Sequence, residues 1–129
     1  MDKKVLVGDL KKVLKKLEKR EGPVVLLMLV APNLESEDDW NVIVSAKGFD
    51  KKSRASAISE LTELLKENVD QRDWHRVKHV TVLTTDDPFV KAVNSAVGAS
   101  GSAISIQSCV FFGIEIPKAI LIESKPLAA

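Results

Sequence analysis

An α+β domain two layers deep, with a mixed five-stranded sheet and three helices in the order α-β-β-α-β-α-β-β, is the fold this sequence predicts. Three observations predict it. Runs with the two-residue rhythm of strands are interspersed with stretches of helical spacing. Two pairs of strands follow one another with no helix between them, which favours antiparallel hairpins, whereas strands separated by helices favour parallel pairing through right-handed crossovers. Several strands also carry polar residues at every second position, so one side of the sheet should be apolar beneath helices and the other partly polar. The chain, residues 1–129, reads as a single globular domain long enough to bury roughly two-thirds of the surface its unfolded form exposes.

The first element is helical. In and around "GDLKKVLKKLEKREGP", Leu6, Leu10, Val13, Leu14 and Leu17 fall on one stripe. Asp9 is the candidate cap, and Gly22 followed by Pro23 should end the helix near Arg20, because proline cannot continue it. "VVLLMLVA", Val24 to Ala31, is apolar at every position, as expected of a central strand covered on both faces. An acidic loop with Glu35, Glu37, Asp38 and Asp39 leads into "WNVIVSAKGF", where Trp40, Val42, Val44 and Ala46 alternate with Asn41, Ile43, Ser45 and Lys47.

"DKKSRASAISELTELLKENVD" then aligns Ala57, Ile58, Leu61, Leu64 and Leu65 on a helical face, with Ser53 or Asp50 available as cap. "VKHVTVLTT" sets Val80 and Val82 against His79 and Thr81. "DPFVKAVNSAVG" supplies a short helix with Phe89, Val90, Val93 and Val97 inward, and "ASGSA" reads as a flexible connection. "ISIQSCVFF" alternates Ile104 and Ile106 with Ser105 and Gln107. Beyond Gly113 and Pro117, "AILIE" forms a last apolar strand. Trp40, Phe111 and Phe112 are expected in the core.

Composition narrows the function classes. A net charge of +1 gives no global field to steer the chain toward nucleic acid or anionic lipid. The longest apolar run is far below the roughly 18 residues of a membrane span, and "MDKKVLVGDLKK" lacks a signal-peptide core. The single cysteine, Cys109, suits a reducing compartment. Cytoplasmic residence is the expectation. No cofactor is implied, because the phosphate-cradling GxxxxGK[ST] pattern is absent and "VGASGSA" follows a helix instead of opening one.

Four patterns could carry chemistry. Asp86-Asp87-Pro88 follows a strand; Asp87 fits a helix cap before a proline at the first helical position, while Asp86 sits where open sheets bind ligands. His75 and His79 are four apart, but strand geometry at His79 breaks the helical spacing a shared metal would need. Glu123 and Lys125 project to one side of the last strand, so Asp86, Asp87 and Glu123, with Lys125 as cationic stabiliser, outline an alternative reading as a metal-dependent hydrolase or nuclease. Lys11, Lys12, Lys15, Lys16 and Lys19 form a basic helix face. A solvated surface accounts for it, and nucleic acid is a less favoured partner because no aromatic residue interleaves for stacking.

The preferred expectation is a small non-catalytic binding or assembly module without a metal. Its ligand or partner face comprises His79, Thr81, Ser105 and Gln107, extended by Asn41 and Ser45. "AILIE", read as an exposed apolar edge, further suggests a homo-oligomer or a protein partner.

Overall fold

The computed structural model describes residues 4–36 and 38–127; Glu37 of the acidic loop lies outside the described residues. Helix α1 spans Lys4–Glu21, strand β1 Val24–Ala31 and strand β2 Trp40–Ala46. After a 3-10 turn over Lys47–Lys51 come helix α2, Arg54–Asn68, the single-turn helix α3, Gln71–Trp74, and strand β3, Val77–Val82. Helix α4, Pro88–Ala96, precedes the long hairpin of β4, Ala99–Phe111, and β5, Ile114–Ser124. The fold is α+β with one mixed five-stranded sheet, as the alternation of patterns predicts.

Across the sheet the strand order is β3-β2-β1-β5-β4. β2 pairs parallel to β3, and every other neighbouring pair is antiparallel. The wholly apolar β1 is accordingly central. "AILIE" is not an edge: it belongs to β5, which is held between β1 and β4, so the edges are β3 and β4. The parallel rule holds for the α2 crossover from β2 to β3. It fails for α4, which joins opposite edges of the sheet, and β4 runs against β3 in consequence.

Two apolar cores result, one per sheet face. On the first, Leu10, Val13 and Leu17 of α1 and Leu61, Leu64 and Leu65 of α2 pack on Leu27, Leu29, Trp40, Val42, Val44, Ile120 and Ile122. On the second, Phe89, Val90 and Val93 of α4 cover Leu26, Met28, Ile43 and Leu121. The helices therefore do not all lie on one side. α4 occupies part of the face expected to be open, and the polar positions of β2 and β3 lie on that face beyond it.

Local signals explain the element boundaries. Gly22, at φ 76°, ends α1 as the Gly-Pro pair predicts. Ser53 caps α2 by accepting from the Ser56 N–H at 3.2 Å. Asp87 caps α4 by accepting from the Phe89 N–H at 2.8 Å, with Pro88 at the first helical position. Asp9 is no cap. α1 begins five residues earlier, and the Asp9 carboxylate instead accepts from the Asp70 N–H at 3.0 Å, tying α1 to the turn between α2 and α3.

"ASGSA" is not a loose connection but the start of β4, bent at Gly101, φ 66°, where the register against β5 shifts. At the other end of the hairpin, Phe112 and Gly113 have φ of 51° and 77°, the positive values that the two central residues of a type I′ turn require. Trp40 and Phe111 are buried as expected. Phe112, carried outward by that turn, is 68% exposed.

Candidate functional site on the second sheet face

The open half of the second face is built by β1, β2 and β3. Val30, Asn41 and His79 form one row across it, since Val30 pairs with Asn41 and Asn41 with His79. Between Trp40 and Asn41 the β2–β3 register slips by one residue: Trp40 pairs with Val77, Asn41 with His79. Lys78 is the unpaired extra residue. A bulge of this kind re-aims a side chain, and both Lys78 and His79 line a concavity of about 620 Å³ with Val30, Ala31, Pro32, Asp39 and Asn41.

The chemistry of the hollow is mixed. Val30, Ala31 and Pro32 supply apolar surface, Asn41 an amide, His79 an exposed imidazole, Lys78 an ammonium and Asp39 a carboxylate. The Asn41 Oδ1 accepts from the Thr81 Oγ1–H at 3.0 Å, which fixes the amide and leaves its NH₂ group as a donor. One wall is braced from behind. The fully buried Arg76 guanidinium bonds the carboxylates of Asp38, 3.1 Å from Nε, and Asp73, 3.3 Å from Nη1, anchoring the loop that carries Asp39 to the turn preceding β3. Lys118, also buried, donates to the Leu34 and Ser36 carbonyls at 3.3 and 2.8 Å and lies 5.6 Å from the Trp40 ring centre, which holds the same loop from the β5 side.

Of the expected face residues, the structure brings together Asn41, His79 and Thr81. Ser45 points to the same side of β2 but is completely buried, and its hydroxyl has no hydrogen-bond partner among the described residues. Ser105 and Gln107 are elsewhere. On β4 it is Ile104 and Ile106 that pack into the second core, so Ser105 and Gln107, paired with Ile120 and Lys118, face the first side at the far edge of the sheet. A single polar face running through all six residues does not exist.

Nor do Asp86, Asp87 and Glu123 converge. Asp87 is occupied at the start of α4 and Asp86 accepts from the Thr84 Oγ1–H at 2.6 Å. Glu123 lies three strand positions from β3, about 14 Å at the usual spacing, and faces the first side with its neighbour Leu27. Among the described residues no group of three His, Cys, Asp or Glu side chains could hold a metal ion. Glu123 and Lys125 do meet. The buried carboxylate accepts from the Gly101 N–H and pairs with the Lys125 ammonium, each at 3.0 Å, and this hydrogen bond with Glu123 raises the Lys125 pKa above its usual value. The partly buried Cys109 lies on β4, away from the hollow.

A second charged cluster sits at the end of α1. Lys52 bridges Glu21, at 2.9 Å, and Glu60. Burial raises the Glu21 carboxyl above the ordinary carboxylate range, and its hydrogen bond with Glu60 acts in the same direction against the pull of Lys52. The buried Glu60 Oε2 has no donor while both acids are ionised.

The alternating pattern of the sequence singled out Asn41, His79 and Thr81, and the structure places these three beside one another. That pattern gave no sign of Lys78, whose participation depends on a one-residue slip in pairing, or of Val30, Ala31 and Pro32, which read simply as the end of an apolar strand. Comparison with known proteins found no matching family model, no matching curated protein and no matching solved structure. Among the described residues, no helix is long and apolar enough to cross a membrane.

Proposed function

We propose that the protein is a non-catalytic binding module whose ligand lies in the hollow formed by Val30, Ala31, Pro32, Asp39, Asn41, Lys78 and His79. The observation that carries this reading is the juxtaposition of an apolar floor with four chemically different polar groups in one concavity. Its volume, about 620 Å³, falls within the range occupied by small-molecule sites. The ligand has an apolar body that rests on Val30 and Pro32 and a polar, preferably anionic end that meets Lys78 and His79. Asn41, held by Thr81, sets its orientation. The unpaired Cys109 is consistent with action in a reducing, cytoplasmic setting.

A thermal-shift screen of small carboxylates and phosphates with apolar bodies tests this reading. A ligand present at a hundred times its Kd stabilises by about 2.7 kcal/mol. Hits should lose their effect in His79→Ala and Lys78→Ala. Hits that stabilise those variants and the unchanged chain equally would refute the assignment.

A further inference from the structure

The outer edge of β4 carries a different message. From Ala92 to Ile114, between Lys91 and Glu115, the chain contains no charged residue, and this interval includes the whole of the edge strand β4. Natural sheet edges are ordinarily blocked by lysines, prolines or inward-pointing charges. None is present here. The remaining protection is conformational: Gly101, φ 66°, and Ser108, φ 52°, confine the regular part of the edge to the residues between them.

The sequence across this stretch is nearly a palindrome. Residues 102–108 read Ser-Ala-Ile-Ser-Ile-Gln-Ser, and reversing the order about Ser105 changes only Ala103 and Gln107. Two-fold symmetric contacts require a surface to complement itself. An antiparallel strand pair centred on Ser105 does this: Ile104 meets Ile106 of the second copy on one side of the sheet, and Ser105 meets its own equivalent on the other. Both isoleucines are only half-buried, whereas Ser105 and Gln107 are exposed. With no charge along the strand, no like-charged pair arises.

We propose that β4 pairs antiparallel with β4 of a second copy about a two-fold axis at Ser105, joining two five-stranded sheets into one of ten strands. Edge pairing over so short a segment falls short of the roughly 800 Å² per partner typical of a stable interface. The hairpin end supplies more. Val110 and Phe112, beyond the second bend, are 62% and 68% exposed and add apolar surface beside the paired segment. An unrelated strand could use the same backbone groups, but it would not reproduce the isoleucine-on-isoleucine match that the palindrome provides.

The hollow at β1–β3 lies toward the opposite edge of the sheet from β4, so either proposal can fail without the other. Sedimentation or light scattering of the full chain up to about 100 µM, a concentration that populates even weak micromolar dimers, should show a dimer. Ser105→Lys places two ammonium groups on the axis, where directly opposed Cβ atoms are about 5 Å apart, and should weaken association at least tenfold while the melting curve is retained. In a Cys109→Ser background, Ser105→Cys should cross-link to a covalent dimer on mild oxidation. A monomer throughout that range would overturn the proposal, and so would a dimer that survives Ser105→Lys or forms no cross-link through position 105.

Discussion

Gly48 is the position at which a single added carbon should do most damage. It lies in the 3-10 turn after β2, pressed against the last residue of α1. A Cβ built there would sit 2.4 Å from the Glu21 Oε1, and 2.7 Å from both the Cα and the carbonyl oxygen of Glu21. The first contact involves a side chain that can move. The other two are backbone, and ordinary contact begins at 3.4 Å, so the turn and the helix end must separate by about 0.7 Å, a displacement in the range where overpacking costs about 1–3 kcal/mol. The same movement pulls Glu21 from Lys52. Against this, replacing glycine restricts the unfolded chain and returns about 0.4–1 kcal/mol. Gly48→Ala should therefore lose about 1.3 kcal/mol net, a fall in Tm of roughly 4–6 °C for a domain of this size. Urea denaturation measures it as a lower midpoint at unchanged slope. Truncating Glu21 as well removes the shortest contact but neither backbone contact, so the double variant should remain destabilised. A Gly48→Ala protein within about 0.5 kcal/mol of the parent would refute the close approach of α1 to this turn.

Two further predictions concern buried polar groups. Ser45→Ala removes a hydroxyl that is buried without a partner, and it should raise stability by about 1 kcal/mol in the same urea assay; a loss of stability would mean that the hydroxyl is bonded. Glu21→Gln tests the raised acid at the end of α1. Because the folded-state pKa lies above 4.5, the fold favours the protonated form, and the contribution of Glu21 is fully present below pH 4.5 and lost as pH rises through the folded value. The glutamine variant, which cannot ionise, should gain on the parent across that interval, and parallel stability curves from pH 4 upward would contradict this.

How far the sequence discloses this protein depends on which physical signal each feature uses. β1 declared its central place through an unbroken apolar run, α4 declared its start through Asp87-Pro88, and of the two caps open to α2 the structure uses Ser53, while Asp50 accepts from the Thr85 N–H; those signals are local. Alternation along β3 and β4 likewise showed that each strand has one apolar and one polar side. It could not show which side of the sheet is apolar in each strand. Val80 and Val82 pack toward α2 on the first face, whereas Ile104 and Ile106 pack toward α4 on the second. His79 and Gln107 consequently look in opposite directions.

The misplaced edge has a similar cause. β5 runs from Ile114 to Ser124, and its polar residues Lys118 and Glu123 are buried because distant partners satisfy them: the Leu34 and Ser36 carbonyls for one, Gly101 and Lys125 for the other. Only the apolar "AILIE" stood out in sequence. Arg76, wholly buried between Asp38 and Asp73, was silent for the same reason, since ion pairing becomes legible only once the loop and the turn have been brought together.

The binding reading is tested most directly by following backbone amide and His79 imidazole resonances while ligands from the carboxylate and phosphate screen are titrated into the full chain. The perturbed signals should gather at Val30, Ala31, Asn41, Lys78, His79 and Thr81, saturating together with a single Kd. Shifts gathered instead around Glu123 and Lys125 or along β4, with those six residues unmoved, would contradict it.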